Sequence, residues 1–163
     1  MKSSLQTLQF ILGAMLILSP TFARAQSPKD QPATTQAQRE QQLQTRLTQA
    51  VLAGRWSSVS KDGLGPVHED RYTLQGVSKV GGDVWLVRAR IQYGAADSTV
   101  PVPVKVTWVD GTPVLHITDL AIPGVGTYTA RIVIQGDAYA GTWSGGDHGG
   151  VMSGVIQRAS TDQ

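Results

Sequence analysis

Cysteine is absent from all 163 residues. That excludes thiolate catalysis and a Cys-ligated zinc site. It also excludes a lipid anchor, since no cysteine follows the apolar run near the amino terminus. Long hydrophobic runs are missing too: the one compact stretch, Phe10 to Leu18, is too short to span a bilayer comfortably. An excess of one charge sign is lacking once the first residues are set aside. The whole chain carries 14 Lys+Arg against 12 Asp+Glu, but Lys2 and Arg24 fall in residues 1–25, which contain no acid. What remains is formally neutral, without the basic footprint of a nucleic-acid binder, so no nucleic acid is expected as partner.

The amino terminus has the marks of an export signal. Lys2 supplies a short positive region, Phe10 to Leu18 the apolar one, Pro20 breaks it, and Ala23-Arg24-Ala25 is a small-x-small cleavage site. Residues 1–25 are read as a signal peptide cut before Gln26, giving a periplasmic or secreted protein with no stable membrane insertion after cleavage. Residues 26–34 are polar, with two prolines, and read as a disordered tether. Residues 35–53 are read as an amphipathic helix. Leu43, Leu47, Ala50 and Val51 form its narrow apolar stripe.

From Gly54 to about residue 160 the pattern changes to period-two alternation punctuated by glycine and aspartate turns, the signature of half-buried antiparallel strands. Val84 to Tyr93 sets Trp85, Val87, Ala89 and Ile91 against Arg88, Arg90 and Gln92. Thr99 to Val109 sets four valines and Trp108 against Pro101 and Pro103. Two prolines in phase remove two N–H groups from one side of that strand, which predicts a sheet edge or a gap in a barrel wall at Thr99 to Pro103. Asp110-Gly111 signals a hairpin. Gly126 to Arg158 reads as three strands in a row, turning at Gly136-Asp137 and at the glycine-rich segment Gly145 to Gly150. About eight strands joined by short reversals, with one helix before them, predict an all-β antiparallel up-and-down meander closing into a barrel.

Candidate chemistry is sparse. The segment Gly145-Gly146-Asp147-His148-Gly149-Gly150 joins two strands and has neither the following helix nor the lysine of a phosphate-cradling loop, so a turn explains its glycines. His68, His116 and His148 are scattered, and no metal site is expected. Ser144, Asp147 and His148 contain the atoms of a hydrolase triad without a nucleophile elbow, and no enzyme activity or cofactor is expected. Arg88, Arg90 and Arg131 share the face opposite the apolar one and are candidate anion contacts, against the plainer reading of a solvated outer surface. The aromatic residues Trp85, Trp108, Tyr128 and Trp143 fall on inward phases opposite small residues such as Ala89, Ala130 and Gly141. They suit either a filled small barrel or the lining of a cavity for one small molecule.

Gly54-x-Trp56 at the opening of the first strand resembles the first motif of lipocalin-type barrels (calycins). The resemblance implies that Trp56 closes one end of the barrel against Arg158. Trp85-Leu-Val-Arg-Ala-Arg-Ile-Gln-Tyr-Gly94 and Tyr139-Ala-Gly-Thr-Trp-Ser-Gly-Gly-Asp-His-Gly-Gly150 resemble a group of small exported bacterial proteins of uncharacterised function, over about Gly54 to Gln157. Two expectations follow. One is an exported lipocalin-like binding protein holding a small apolar or amphipathic ligand against Trp85, Trp108, Tyr128 and Trp143. The other is a structural or protein-interaction module of the cell envelope with a solid core, working through its edge near Pro101 and Pro103 or through its helix. A particular protein partner is not specified by either.

Overall fold

The computed structural model describes residues 34–93 and 96–159. The expected signal peptide and all but the last residue of the expected tether lie outside the described residues.

The first element is the helix α1, Gln36–Leu47. Thr35 opens it with a capping box. Its hydroxyl accepts from the Gln38 N–H at 3.2 Å, and the Gln38 side chain accepts from the Thr35 N–H at 2.8 Å. The helix stops at Leu47, not at Ala53 as the apolar stripe suggests. Thr48 is already extended, and Gln49 takes a φ of 53°, swinging the chain out of the helix. The physical gain lies just beyond. Ala50, Val51 and Leu52 pair with Leu74, Thr73 and Tyr72 on one side, and with Arg158, Gln157 and Ile156 on the other. Continued helix would forfeit both ladders. The barrel therefore begins at Ala50, and only Leu43 and Leu47 of the stripe are buried helix residues.

The strands that follow are β1 (Ala50–Ser60), β2 (Gly63–Leu64), β3 (His68–Gly81), β4 (Val84–Tyr93), β5 (Ala96–Val109), β6 (Thr112–Ile122), β7 (Gly126–Gln135), β8 (Ala138–Gly145) and β9 (His148–Arg158). Each long strand pairs antiparallel with its successor, and β1 pairs with both β3 and β9. Eight long strands thus close into an up-and-down barrel, as predicted. The small β2 only extends β1 as a lip. Reversals are tight. Asp110 and Gly111 both have positive φ, 48° and 81°, as a two-residue hairpin turn requires.

Bulges adjust the phase of two strands. The register between β3 and β4 shifts between Leu74 and Gly76, so that Leu74 and Val77 both reach the core. The β3–β4 register shifts again between Lys79 and Gly81, and a further shift lies between Ile117 and Leu120 in β6, where Asp119 takes a φ of 50°.

The two ends of the barrel differ. α1 covers one of them: Gln44 donates to the Val77 carbonyl at 3.0 Å, and Arg158 to the Thr45 carbonyl at 3.2 Å. Ion pairs Lys79–Glu40 and Arg46–Asp137, both 2.7 Å, pin the helix to neighbouring turns. Beneath it lie Leu43, Leu47 and Trp85, none more than 4 % exposed. We call this end the floor. The opposite end, where β1 runs into its lip and where β6–β7 and β8–β9 turn, is the mouth.

The wall has one seam. β5 pairs with β6 only from Lys105 to Val109, and with β4 all the way from Ala96 to Lys105. The Val106 N–H donates to the Asp83 carbonyl at 2.8 Å, so the even-numbered N–H groups of β5 face β4. Pro101 and Pro103 are in the opposite phase. Their missing donors face the side where no strand pairs, and the gap predicted from the two prolines is there.

Candidate functional site

Inward residues of all eight long strands leave an interior space of about 460 Å³, reaching from Leu47 and Leu52 at the floor to His148 at the mouth. Its walls are overwhelmingly aliphatic and aromatic, with Val87, Val102, Leu115, Ile132 and Ala130 among them. That volume lies within the usual span of small-molecule sites, about 300–1,000 Å³. A groove of about 640 Å³ runs outside the barrel between α1 and the end of β9, lined by Gln38, Gln41, Arg46, Asp137 and Arg158. It is open and polar, and its one ion pair has Asp137 largely in water. The apolar interior of the barrel is the better site.

The four aromatic residues read from the sequence do not act together. Tyr128 and Trp143 line the interior near the mouth. Trp85 belongs to the buried core cluster and Trp108 packs partly buried against it; both stand beside the floor turns and neither lines the space. A cluster that the sequence reading did not assemble takes their place. His68 stacks on Trp56 with ring centres 4.4 Å apart, and Trp143 meets Trp56 edge-on at 5.3 Å. Tyr128 and His148 complete it, at 6.2 and 5.4 Å from the Trp143 ring. This arrangement overturns the packing of Trp56 on Arg158. In the β1–β9 ladder Trp56 pairs with Met152 and Arg158 with Ala50, six residues and roughly 20 Å along the strand. Arg158 serves the floor; Trp56 serves the mouth.

The three arginines are outside the barrel, and Arg90 and Arg131 have different partners. Arg90 Nε donates to Asp97 at 2.7 Å, and this pairing holds the Asp97 carboxyl below the usual range. Arg131 donates to the carbonyls of Ile117 at 2.7 Å and Ala130 at 2.8 Å, bracing the β6 bulge. Arg88 is exposed across from Pro101. They form no joint anion site.

Gly145 to Gly150 is a hairpin: Gly145 pairs with His148, and Gly146 turns the chain with a φ of 59°. Ser144 is an exposed strand residue, and the contact of His148 Nδ1 with Asp147 at 3.3 Å is exposed as well. His116 shares a hydrogen bond with Thr107 Oγ1 at 2.8 Å, at the last paired position before the seam. Among the described residues no three His, Asp or Glu side chains gather to hold a metal, and no helix is long and apolar enough to cross a membrane.

Among the described residues, one carboxyl group faces inward from the wall. Asp70, on β3, lines the interior between His68 and Tyr72. The Tyr139 hydroxyl donates to its Oδ1 at 3.3 Å. Its Oδ2 is shut off from solvent and accepts no hydrogen bond of normal geometry, although Tyr72 approaches the carboxyl closely enough to favour its charge. Burial outweighs both tyrosines and pushes the Asp70 carboxyl above the ordinary aspartate range. Burial, and then the neighbouring carboxylate, keep the Tyr139 hydroxyl protonated far above the ordinary phenol range. The pair exists because two glycines make room for it. A Cβ at Gly54 would strike the Tyr139 hydroxyl, and one at Gly154 the edge of its ring. Gly54 of the Gly-x-Trp motif is thus explained by local packing.

Asp70 was legible in part. His68, Asp70, Tyr72 and Leu74 share one phase of β3, and an acid in phase with Tyr and Leu on a strand is a buried-polar signal. Comparison with family models, curated proteins and solved structures finds no match to this chain.

Proposed function

We propose that this protein is an exported, lipocalin-like carrier that binds a small apolar or amphipathic molecule inside its barrel and does not transform it. The observation that supports the reading is the apolar interior of about 460 Å³, open at an aromatic mouth. A barrel built only as a scaffold gains by filling such a space, because each unfilled volume forfeits packing energy. The interior therefore speaks against the solid-core module. Export rests on the sequence of residues 1–25, with its apolar run and Ala-x-Ala site.

The test uses the chain from Gln26 and the neutral fluorophore phenylnaphthylamine. Saturable, one-to-one enhancement that Ala130→Trp abolishes is expected, since that substitution fills the interior from its wall. Absence of saturable enhancement in the wild type, or enhancement untouched by the filling variant, overturns the reading.

A further inference from the structure

The carrier reading leaves the chemistry of the ligand's polar end open, and the interior specifies it. Among the described residues, Asp70 is the one acid lining the space, and neither lysine nor arginine lines it. A lone carboxyl in apolar surroundings is costly unless a partner of opposite charge or a hydrogen-bond donor meets it. Here Tyr139 donates to one oxygen and Tyr72 stands close to the carboxyl, while the other oxygen is buried and accepts no hydrogen bond of normal geometry. The site is also built: Tyr139 comes from β8, Asp70 from β3, and the two strands between them, β1 and β9, carry glycine where the tyrosine crosses. Toward the mouth, the next groups are the rings of Trp56 and Trp143, whose π-faces favour a cation over an anion. Besides the phenols of Tyr72 and Tyr128, the titratable groups that line the space with Asp70 among the described residues are His68 and His148, both at the mouth.

We propose that the ligand is an amphipathic amine, its protonated nitrogen donating to Asp70 and its apolar body filling the barrel toward Leu52 and Leu115. This rests on the carrier reading and adds the head-group class. The nitrogen supplies a further donor to the carboxyl and the charge that compensates the carboxylate. The Tyr139 hydroxyl fixes the carboxyl at the wall of the interior. Asp70 and Tyr139 are then respectively a binding residue and a positioning residue.

Three probes with the same ten-carbon chain separate the possibilities: decylamine, decanol and decanoate, each displacing phenylnaphthylamine from the chain beginning at Gln26 near neutral pH. The expected order is decylamine tighter than decanol by about tenfold or more, with decanoate the weakest. In Asp70→Asn the amine should fall to the level of the alcohol. Tyr139→Phe, which keeps the ring and loses the hydroxyl, should narrow the preference part of the way. Equal affinities in the wild type, or decanoate binding best, overturn the head-group proposal and leave the carrier standing. Failure of all three probes and of the fluorophore overturns both. The wild-type ranking decides the matter even if Asp70→Asn does not fold.

Discussion

The floor and the mouth of this barrel are made of the same kinds of residue and differ in almost everything else. At the floor, Trp85 is 2 % exposed and packs with Leu43, Leu47 and the valines of β5 under a helix tied down by ion pairs and hydrogen bonds. At the mouth, Trp56 and Trp143 contact each other and two histidines, are only half-buried, and border an open space. The lesson is that an inward-facing tryptophan has no fixed meaning. Its role is set by whether something covers its end of the barrel. One end stores stability, and the other gives some of it up to keep a buried acid and an unfilled volume.

Substitutions sharpen that contrast. The largest effect is expected at the floor, where Trp85→Ala removes a fully packed ring and should cost about 3–5 kcal/mol in chemical denaturation, with the binding site lost only as the fold is lost. At the mouth, Trp143→Ala should cost less, about 1–2 kcal/mol, yet weaken phenylnaphthylamine binding while the circular dichroism spectrum stays native. Equal destabilisation at the two ends would erase the distinction.

A third comparison sets Asp70 against its neutral analogue across pH. Its carboxyl is raised above the ordinary 3.8, so the folded state holds that proton more tightly than the unfolded chain does. Its stabilising contribution is present below the unfolded value and lost as pH rises through the folded one. Unfolding midpoints of wild type and Asp70→Asn, followed from acid to neutral pH, should therefore diverge upward in favour of the variant. Parallel curves would mean that the carboxyl bears no burial penalty. The smallest effect is expected on the outer wall: Arg90→Ala breaks a solvent-exposed pair with Asp97 and should leave both the unfolding midpoint and probe affinity where they were.

Much of this architecture can be read from alternation alone. Val84 to Tyr93 and Thr99 to Val109 show their inward and outward faces residue by residue, because a period of two is a local property. Pro101 and Pro103 disclose a missing ladder for the same reason: a proline states what its own N–H cannot do. The helix boundary is harder, since Ala50 and Val51 fit the helical stripe and the strand equally well. The ladders of β3 and β9 decide between them. The division of the tryptophans is harder still. Trp85 and Trp143 have similar alternating neighbours, and the difference lies in their ends, which depend on how the whole meander curls. Asp70 falls between, its phase visible but its partner Tyr139 lying 69 positions away.

The seam along the upper part of β5 has a mechanical consequence. A closed hydrogen-bonded barrel behaves as a hoop, its girth fixed by strand number and stagger. Here the hoop is continuous near the floor and slit above Lys105, where β5 and β6 part. The girth at the rim is accordingly set by side-chain packing and by the stiffness of the β4–β5 and β6–β7 hairpins, not by a full ring of backbone bonds. Strand count therefore does not set an upper limit on the width of what passes the rim.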